Sequence, residues 1–398
     1  MTFLNIPAHL DWPAQFCLLL TAGTWVASLV TANVSQVDRL WTFLPTIYTA
    51  YYALLPLWPN EQPFLFVPYA PKELGYASVK DYSPRALLIF GLVVVWMCRL
   101  SYNTWRRGLF DLKDEDYRWA VLRAQLPPWL FQITNLTFIA FTQNVLLLSL
   151  GLPVHVAAVF QPHSPLSSSD YALAALALVV LGIEFTADNQ QYAFHAYKHA
   201  YLAKKKAEED GKEVKVKEYD ANEHWVGARL AWTPDDARRG FVTRGLWRYS
   251  RHPNFACEQG FWWIITLLPL VSPFPPNIPT QADLPTLPTL LRALASPSQH
   301  PALLLSVKQT LAPAVHLLPA LALSLLFISS TTYTEAISKS KYRSTYGAYQ
   351  RRVGMFSPHQ TLGKWVWMRL WWAGEDRKGI EEVVWGDSEA PSKRLKKE

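Results

Sequence analysis

Charge is segregated along this chain. Apolar runs near the ~20 residues that a helix needs to cross a bilayer recur at about 14–33, 40–58, 84–102, 129–150, 170–188, 255–272 and 311–333, and charged segments separate them. This predicts an all-α, polytopic transmembrane bundle of about seven spans. A mean hydropathy of +0.03 conceals the pattern, because it averages the two kinds of segment. With 398 residues, half of them hydrophobic and 14% aromatic, a disordered chain or a single small domain is excluded. Trp and Tyr gather at the ends of the runs (Trp41, Trp58, Tyr102, Trp129, Trp262, Trp263), as in an interfacial aromatic belt. That clustering disfavours the competing reading, buried core helices of a large α protein. No Lys or Arg precedes the first run, so it reads as a retained helix rather than a cleaved signal.

Lys and Arg counts between the runs set the expected orientation. Segment 99–123 holds Arg99, Arg106, Arg107, Lys113, Arg118 and Arg123, and 151–169 holds none. Segment 189–254 is strongly basic, 273–302 has Arg292 alone, and the stretch after about 334 is rich in both. The alternation predicts a lumenal N-terminus and a cytosolic C-terminus. A net charge of +7 then reflects topology and attraction to membrane lipids or a phosphate ligand, and no nucleic acid. The expected organisation is a two-span region over 1–83, a membrane domain over 84–360 and a charged cytosolic tail over 361–398. Within the domain, 203–220 reads as a charged cytosolic insertion and 269–301 as a Pro-rich lumenal loop, in which LPTLLRALA suits a short interfacial helix. Cys17, Cys98 and Cys257 form no CxxC pattern and support neither a disulfide framework nor a metal site.

Charged side chains within or beside apolar spans are costly, so each is a functional candidate. In IEFTADNQQYAFHAYKHA, steps of four, three, four and four put Glu184, Asp188, Gln191, His195 and His199 on one helical face. Such a stripe suits a sugar, an amide or adenine; the competing reading is a solvated helix extension. The His195/His199 pair has no second HxxxH to complete a di-iron set, and metal ligation is rejected.

The densest constellation is RRGFVTRGLWRYSRHPNFACEQGFWW, 238–263. Arg239, Arg244, Arg248 and Arg251 with His252 offer anion donors just before a span, and Pro253 suits a first helical turn whose N–H groups add to an anion site. Asn254 and Glu258, four apart, face the same way. A positive-inside anchor explains some of these arginines but not their grouping with an amide and a carboxylate. Beyond the last span, Glu335, Lys339, Tyr342, Tyr346 and Tyr349 follow helical spacing, although Glu335 and Lys339 also suit a simple i,i+4 ion pair. Tyr102, leaving the third span, could hydrogen-bond a substrate carbonyl or serve as a belt residue.

GLWRYSRHPNFACE, with SYNTWRRG, EDYRW, ADNQQYAF and SKYRSTYGAYQ, resembles the signature of the steroid 5-alpha-reductase-like membrane proteins, in their fungal and bacterial branch, over most of 84–360. RHP followed by an aromatic is also similar to isoprenylcysteine and phospholipid methyltransferases. The resemblance implies NADPH held by the C-terminal helices and a sterol-like enone entering from the membrane. It puts Asn254 and Glu258 at the nicotinamide amide and Glu184 and Asp188 at the nucleotide. Arg239, Arg244, Arg248, Lys339, Tyr342 and Tyr346 fall at the phosphates and ribose. The acid at 258 favours the reductase branch. Two departures stand out: the second span holds no acid to polarise a carbonyl, leaving Tyr48, Tyr51, Tyr52 or Tyr102 for that role, and the Pro-rich insertion is long.

The resulting expectation is an NADPH-dependent membrane oxidoreductase that reduces a C=C bond conjugated to a carbonyl in a lipid-soluble substrate, with Tyr102 and Glu258 as catalytic residues. The chain contains no GxGxxG, so the helix bundle itself would hold the cofactor. The alternatives are an S-adenosylmethionine-dependent lipid or prenylcysteine methyltransferase and a non-catalytic sterol-binding protein. Arg394 and Lys396 near the C-terminus resemble a dibasic retrieval signal and, with the topology, suggest the endoplasmic reticulum.

Overall fold

Long apolar helices account for most of the chain, and in the computed structural model residues 6–74, 81–211 and 217–386 are described. Among them all regular structure is helical. Five helical stretches are long and apolar enough to cross a membrane: Ala8–Thr31, Pro84–Arg106, Pro128–Phe160, Ser168–Glu209 and Pro301–Arg352. They fit an integral membrane protein and match five of the seven apolar runs. The run at 40–58 differs. It holds a ten-residue helix, Leu44–Ala53, about 15 Å long and well short of a ~30 Å hydrocarbon core. Pro45 sits in its first turn and Pro56 lies just beyond its end, so proline limits it at both sides. Tyr48, Tyr51 and Tyr52 bury it. The run at 255–272 is an 18-residue helix, Pro253–Leu270, with Glu258 inside it. In the Pro-rich segment the LPTLLRALA helix forms over Leu287–Ala295. The basic pair Arg394 and Lys396 lies outside the described residues.

Two units gather these elements: 1–178 with 261–325, and 179–260 with 326–398. In the first, polar side chains join helices that apolar packing alone would leave free to slide. Asn135 donates to Ser28 Oγ (2.8 Å) and Asn144 to Thr24 Oγ1 (3.3 Å). Asn135 also begins a π-helical stretch, Asn135–Thr142, a local widening typical of places where side chains interrupt regular packing. Trp96 and Trp262, both fully buried, meet edge to face at 4.9 Å, so Trp262, midway along its helix, is a core residue and not part of the expected aromatic belt. The segment 111–119 is held by residues 33–39: Asn33 donates to the Asp114 carbonyl (3.0 Å), Arg39 to that of Asp111 (2.9 Å), and Trp119 to Asp38 (2.8 Å).

A buried ion pair fixes the end of this unit. Arg85 gives two bonds to Asp170 (2.7 and 2.9 Å) and one to Gln161 (2.9 Å), and the Gln161 amide donates to Pro269 O, Ser272 Oγ and Phe274 O. Ser83 caps the Pro84–Arg106 helix by accepting from Ala86 N. Hydrocarbon-like surroundings make each of these groups expensive to leave unpaired.

Replacing Asp170 by Ala is expected to strand the Arg85 guanidinium and destabilise the protein by about 3–5 kcal/mol. Replacing both, Arg85→Met with Asp170→Leu, should cost clearly less than the two single changes summed. Thermal unfolding in detergent measures both.

Candidate functional site

The second unit concentrates the acidic and amide side chains that the sequence singles out. Helix Ser168–Glu209 presents Glu184 and Asp188 one turn apart, at 1% and 2% exposure. Asn254 and Glu258 lie one turn apart at the start of Pro253–Leu270, both buried. Asn254 Nδ2 donates to Asp188 Oδ1 at 3.0 Å. A side-chain carbon at Gly260 would sit 3.8 Å from Val180, so the helices run antiparallel, 254 beside 188 and 260 beside 180. That register brings Glu258 level with Glu184, each one turn from the bonded pair. The result is a buried ladder of three acids and an amide drawn from two helices.

Neighbouring bonds hold the ladder in place. Gln190 accepts from Leu246 N (2.9 Å) and donates to Gly227 O (2.9 Å), and Trp247 Nε1 donates to Ala187 O (3.2 Å). Gly245 has φ +63°, and a Cβ there would fall 2.5 Å from Gln190 Oε1, so glycine is required for the loop to approach this closely. The rest of the expected stripe departs from the ladder. Gln191 and His195 are half-buried and His199 is exposed. The 15 positions from 184 to 199 overrun four 3.6-residue turns by about 60°, so the stripe drifts off the packed face.

Glu335 forms the second centre. At 3% exposure it accepts from Arg251 Nε (2.6 Å) and Nη2 (2.9 Å), from Gln350 Nε2 (2.9 Å), and from the His252 ring at 2.8 Å. A carboxylate only accepts, so His252 Nε2 carries the proton in this bond. Burial pulls the His252 pKa below its ordinary value despite the opposing pull of Glu335, and the ring is a neutral donor. Arg251 Nη1 also binds the Val353 carbonyl, while the backbone N–H groups of Arg251 and His252 donate to Gly354 O (2.9 Å) and Met355 O (3.0 Å). Arg251 and His252 therefore clamp one stretch of chain to another. The pairing differs from the Glu335–Lys339 alternative: Glu335 turns inward to Arg251, and Lys339 is exposed.

The other arginines expected to hold phosphate are largely engaged. The short helix Pro234–Arg239 starts with a capping box, Thr233 with Asp236. Asp236 then takes Arg239 Nη1 at 2.7 Å and Arg244 Nε at 2.5 Å. Arg239 also reaches Val383 O (3.3 Å) and Gly386 O (3.1 Å) at the end of the helix Gly374–Trp385. Arg248 is exposed, and its guanidinium and that of Arg352 lie over the Trp385 ring at 4.7 and 5.2 Å. Tyr342 packs against Gly240, where a Cβ would fall 2.4 Å from the ring, and Tyr346 is buried beside Phe241. Both rings pack against the 240–241 turn. Tyr102 belongs to the first unit, where it is exposed beneath the Arg106 guanidinium at 5.1 Å.

Residues absent from the expected site hold it together. Gln350 donates to Glu335, Gln190 ties the backbone at 227 and 246, Asp236 takes Arg239 and Arg244, and Trp385 lies under Arg248 and Arg352, yet of these only Asp236 has a local signature, the T-x-x-D spacing of its capping box. The arrangement suits a ligand with hydrogen-bond donors or developing positive charge near the acids. The paired guanidinia position the loop 238–252.

Glu335→Ala is expected to lose about 3–5 kcal/mol of stability by leaving Arg251 buried without its acid, and Glu335→Gln to lose less; chemical denaturation reads both. Because the folded-state pKa of His252 lies below its unfolded value, stability is full above the ordinary imidazole value and falls as pH drops through it. In His252→Gln that part of the pH dependence should flatten.

Residues 24–273, more than half of the chain, match the family model described as protein of unknown function (DUF1295). An uncharacterized protein of Schizosaccharomyces pombe is 28% identical over 341 residues, which cover 86% of this chain and 77% of that protein. No solved structure matches. The family match takes in all four ladder residues, Glu184, Asp188, Asn254 and Glu258, and on that basis the chain belongs to the DUF1295 family.

Proposed function

We propose that this protein is an NADPH-dependent membrane reductase acting on a C=C bond conjugated to a carbonyl in a sterol-like or other lipid, as its resemblance to steroid 5-alpha-reductase-like proteins implies. The observation that carries the reading is the buried Asp188–Asn254 pair with Glu184 and Glu258 level beside it. Asn254 supplies an amide able to donate and accept, and the three acids accept from a carboxamide or ribose hydroxyls. NADPH, when bound, supplies the hydride. Acidic side chains nearby favour the positive charge that hydride donation leaves on a nicotinamide ring, in low-dielectric surroundings where such preorganised groups act strongly.

The residue roles narrow accordingly. Arg248 and Lys339, both exposed, keep the phosphate role, whereas Arg239, Arg244, Arg251, His252 and Glu335 are positioning residues. Tyr102 enters through its motif alone, as the donor to the substrate carbonyl. The endoplasmic reticulum is the proposed membrane.

A second reading is favoured by one feature. With Arg239, Arg244 and Arg251 paired to acids, a ladder of three acids also suits the sulfonium of S-adenosylmethionine in a lipid methyltransferase. Calorimetry on purified protein, titrating each cofactor separately, decides between the two. The reductase predicts NADPH binding that Asn254→Ala and Glu258→Gln each weaken roughly tenfold, about 1.4 kcal/mol, and consumption of NADPH with an enone panel. Tyr102→Phe should then lower kcat and leave NADPH affinity unchanged. Tight S-adenosylmethionine binding without NADPH binding would overturn the reductase.

A further inference from the structure

The region that composition marks as a charged tail opens with a helix of another character, Pro358–Trp371, PHQTLGKWVWMRLW. Thr361 and Met368 are buried on one side of it. Leu362, Val366, Trp367, Leu370 and Trp371 are exposed, the two Trp at 60% and 70%. Steps of four, one, three and one place those five on one strip of the helix surface. At 14 residues the helix is about 21 Å long, too short to cross a ~30 Å core. The strip is therefore not the lipid-facing side of a span.

Hydrogen bonds set the helix's height against its own unit. Gly354 O and Met355 O accept from the backbone of Arg251 and His252. Ser250 Oγ donates to Met355 O (3.1 Å), and Thr361 Oγ1 to Tyr249 O (2.6 Å). The helix thus begins beside the first turn of Pro253–Leu270, at the level where polar sequence gives way to apolar sequence. Cations flank the strip. Arg369 lies over the Trp365 ring at 5.2 Å, and Arg351, with Lys364, Trp367, Met368 and Trp372, lines an open pocket of ≈ 310 Å³. Lys364 Nζ is tied to Gln350 O and Val353 O, so Arg351 and Arg369, both exposed, are the outward-facing charges.

We propose that Pro358–Trp371 lies flat in the headgroup layer of the bilayer that holds the long helices. Its five-residue strip meets the acyl boundary, and Arg351 and Arg369 meet the phosphates of anionic phospholipids. Amphipathic helices bind interfaces through buried apolar area plus attraction to anionic lipid. Tryptophan prefers this depth. The charge complementarity and the height of the helix both single out a lipid surface, and neither depends on which cofactor the protein uses.

The test places nitroxide labels on L370C, V366C and, as a water-facing control, K378C, in full-length protein carrying C17A, C98S and C257A, reconstituted one copy per nanodisc. Preferential oxygen over nickel-chelate accessibility at 366 and 370, several-fold above that at 378 and greater in phosphatidylglycerol-containing discs than in pure phosphatidylcholine, is the expected result. Nickel-chelate accessibility at 370 equal to that at 378 would overturn the proposal, as would equal depth in the two lipids. In protein with its native cysteines, a photoreactive benzoylphenylalanine at Trp371 should yield lipid adducts. Crosslinks to a second copy instead would assign the strip to self-association and overturn the lipid surface.

Discussion

A carboxylate and a guanidinium withdrawn together from water bind the second unit. Glu335 and Arg251 form two parallel bonds, a geometry matched to their planar groups, and His252 and Gln350 fill the remaining acceptor capacity. Neither charge has an inexpensive alternative at this burial. The start of Pro253–Leu270 is anchored from behind by the backbone bonds of Arg251 and His252, three and two residues before the Asn254 that holds Asp188. The candidate site inherits its geometry from a bond that does not belong to it.

The same economy governs the arginines. A guanidinium in a partly buried loop must find an acid or a carbonyl, and Asp236 and the end of the helix Gly374–Trp385 provide both. Arg239, Arg244 and Arg251, which look along the sequence like one cationic patch, each meet an acid in three dimensions. The ladder beside them is built instead from carboxylates and an amide, with Asn254 donating to Asp188.

Much of the fold is legible in the sequence because span length and apolarity are local properties. The runs at 84–102 and 129–150 extend into Pro84–Arg106 and Pro128–Phe160, and the LPTLLRALA helix falls where its composition puts it. Helix periodicity likewise suffices to bring Glu184 with Asp188 and Asn254 with Glu258, while their meeting depends on register that no local pattern encodes. Arg85 and Asp170, 85 positions apart, and Glu335 with Arg251, 84 apart, are pairings set by topology. The run at 40–58 misleads for a related reason: it carries no charge, as a span would, yet the proline-bounded helix that holds Tyr48, Tyr51 and Tyr52 is buried among its neighbours. The C-terminal helices are hidden by net composition, since their charges outnumber the few residues, Met368, Ile380 and Val384, that pack.

Four donors converging on one acid also bind the inheritance of these positions together. A lineage that exchanges residue 335 for something neutral leaves the basic side chain at 251 without support, and a lineage that alters 251 first leaves the acid equally exposed to penalty. Positions 251, 252, 335 and 350 are therefore expected to change as a linked group, and the solvent-facing Lys339, one helical turn away, to vary by itself.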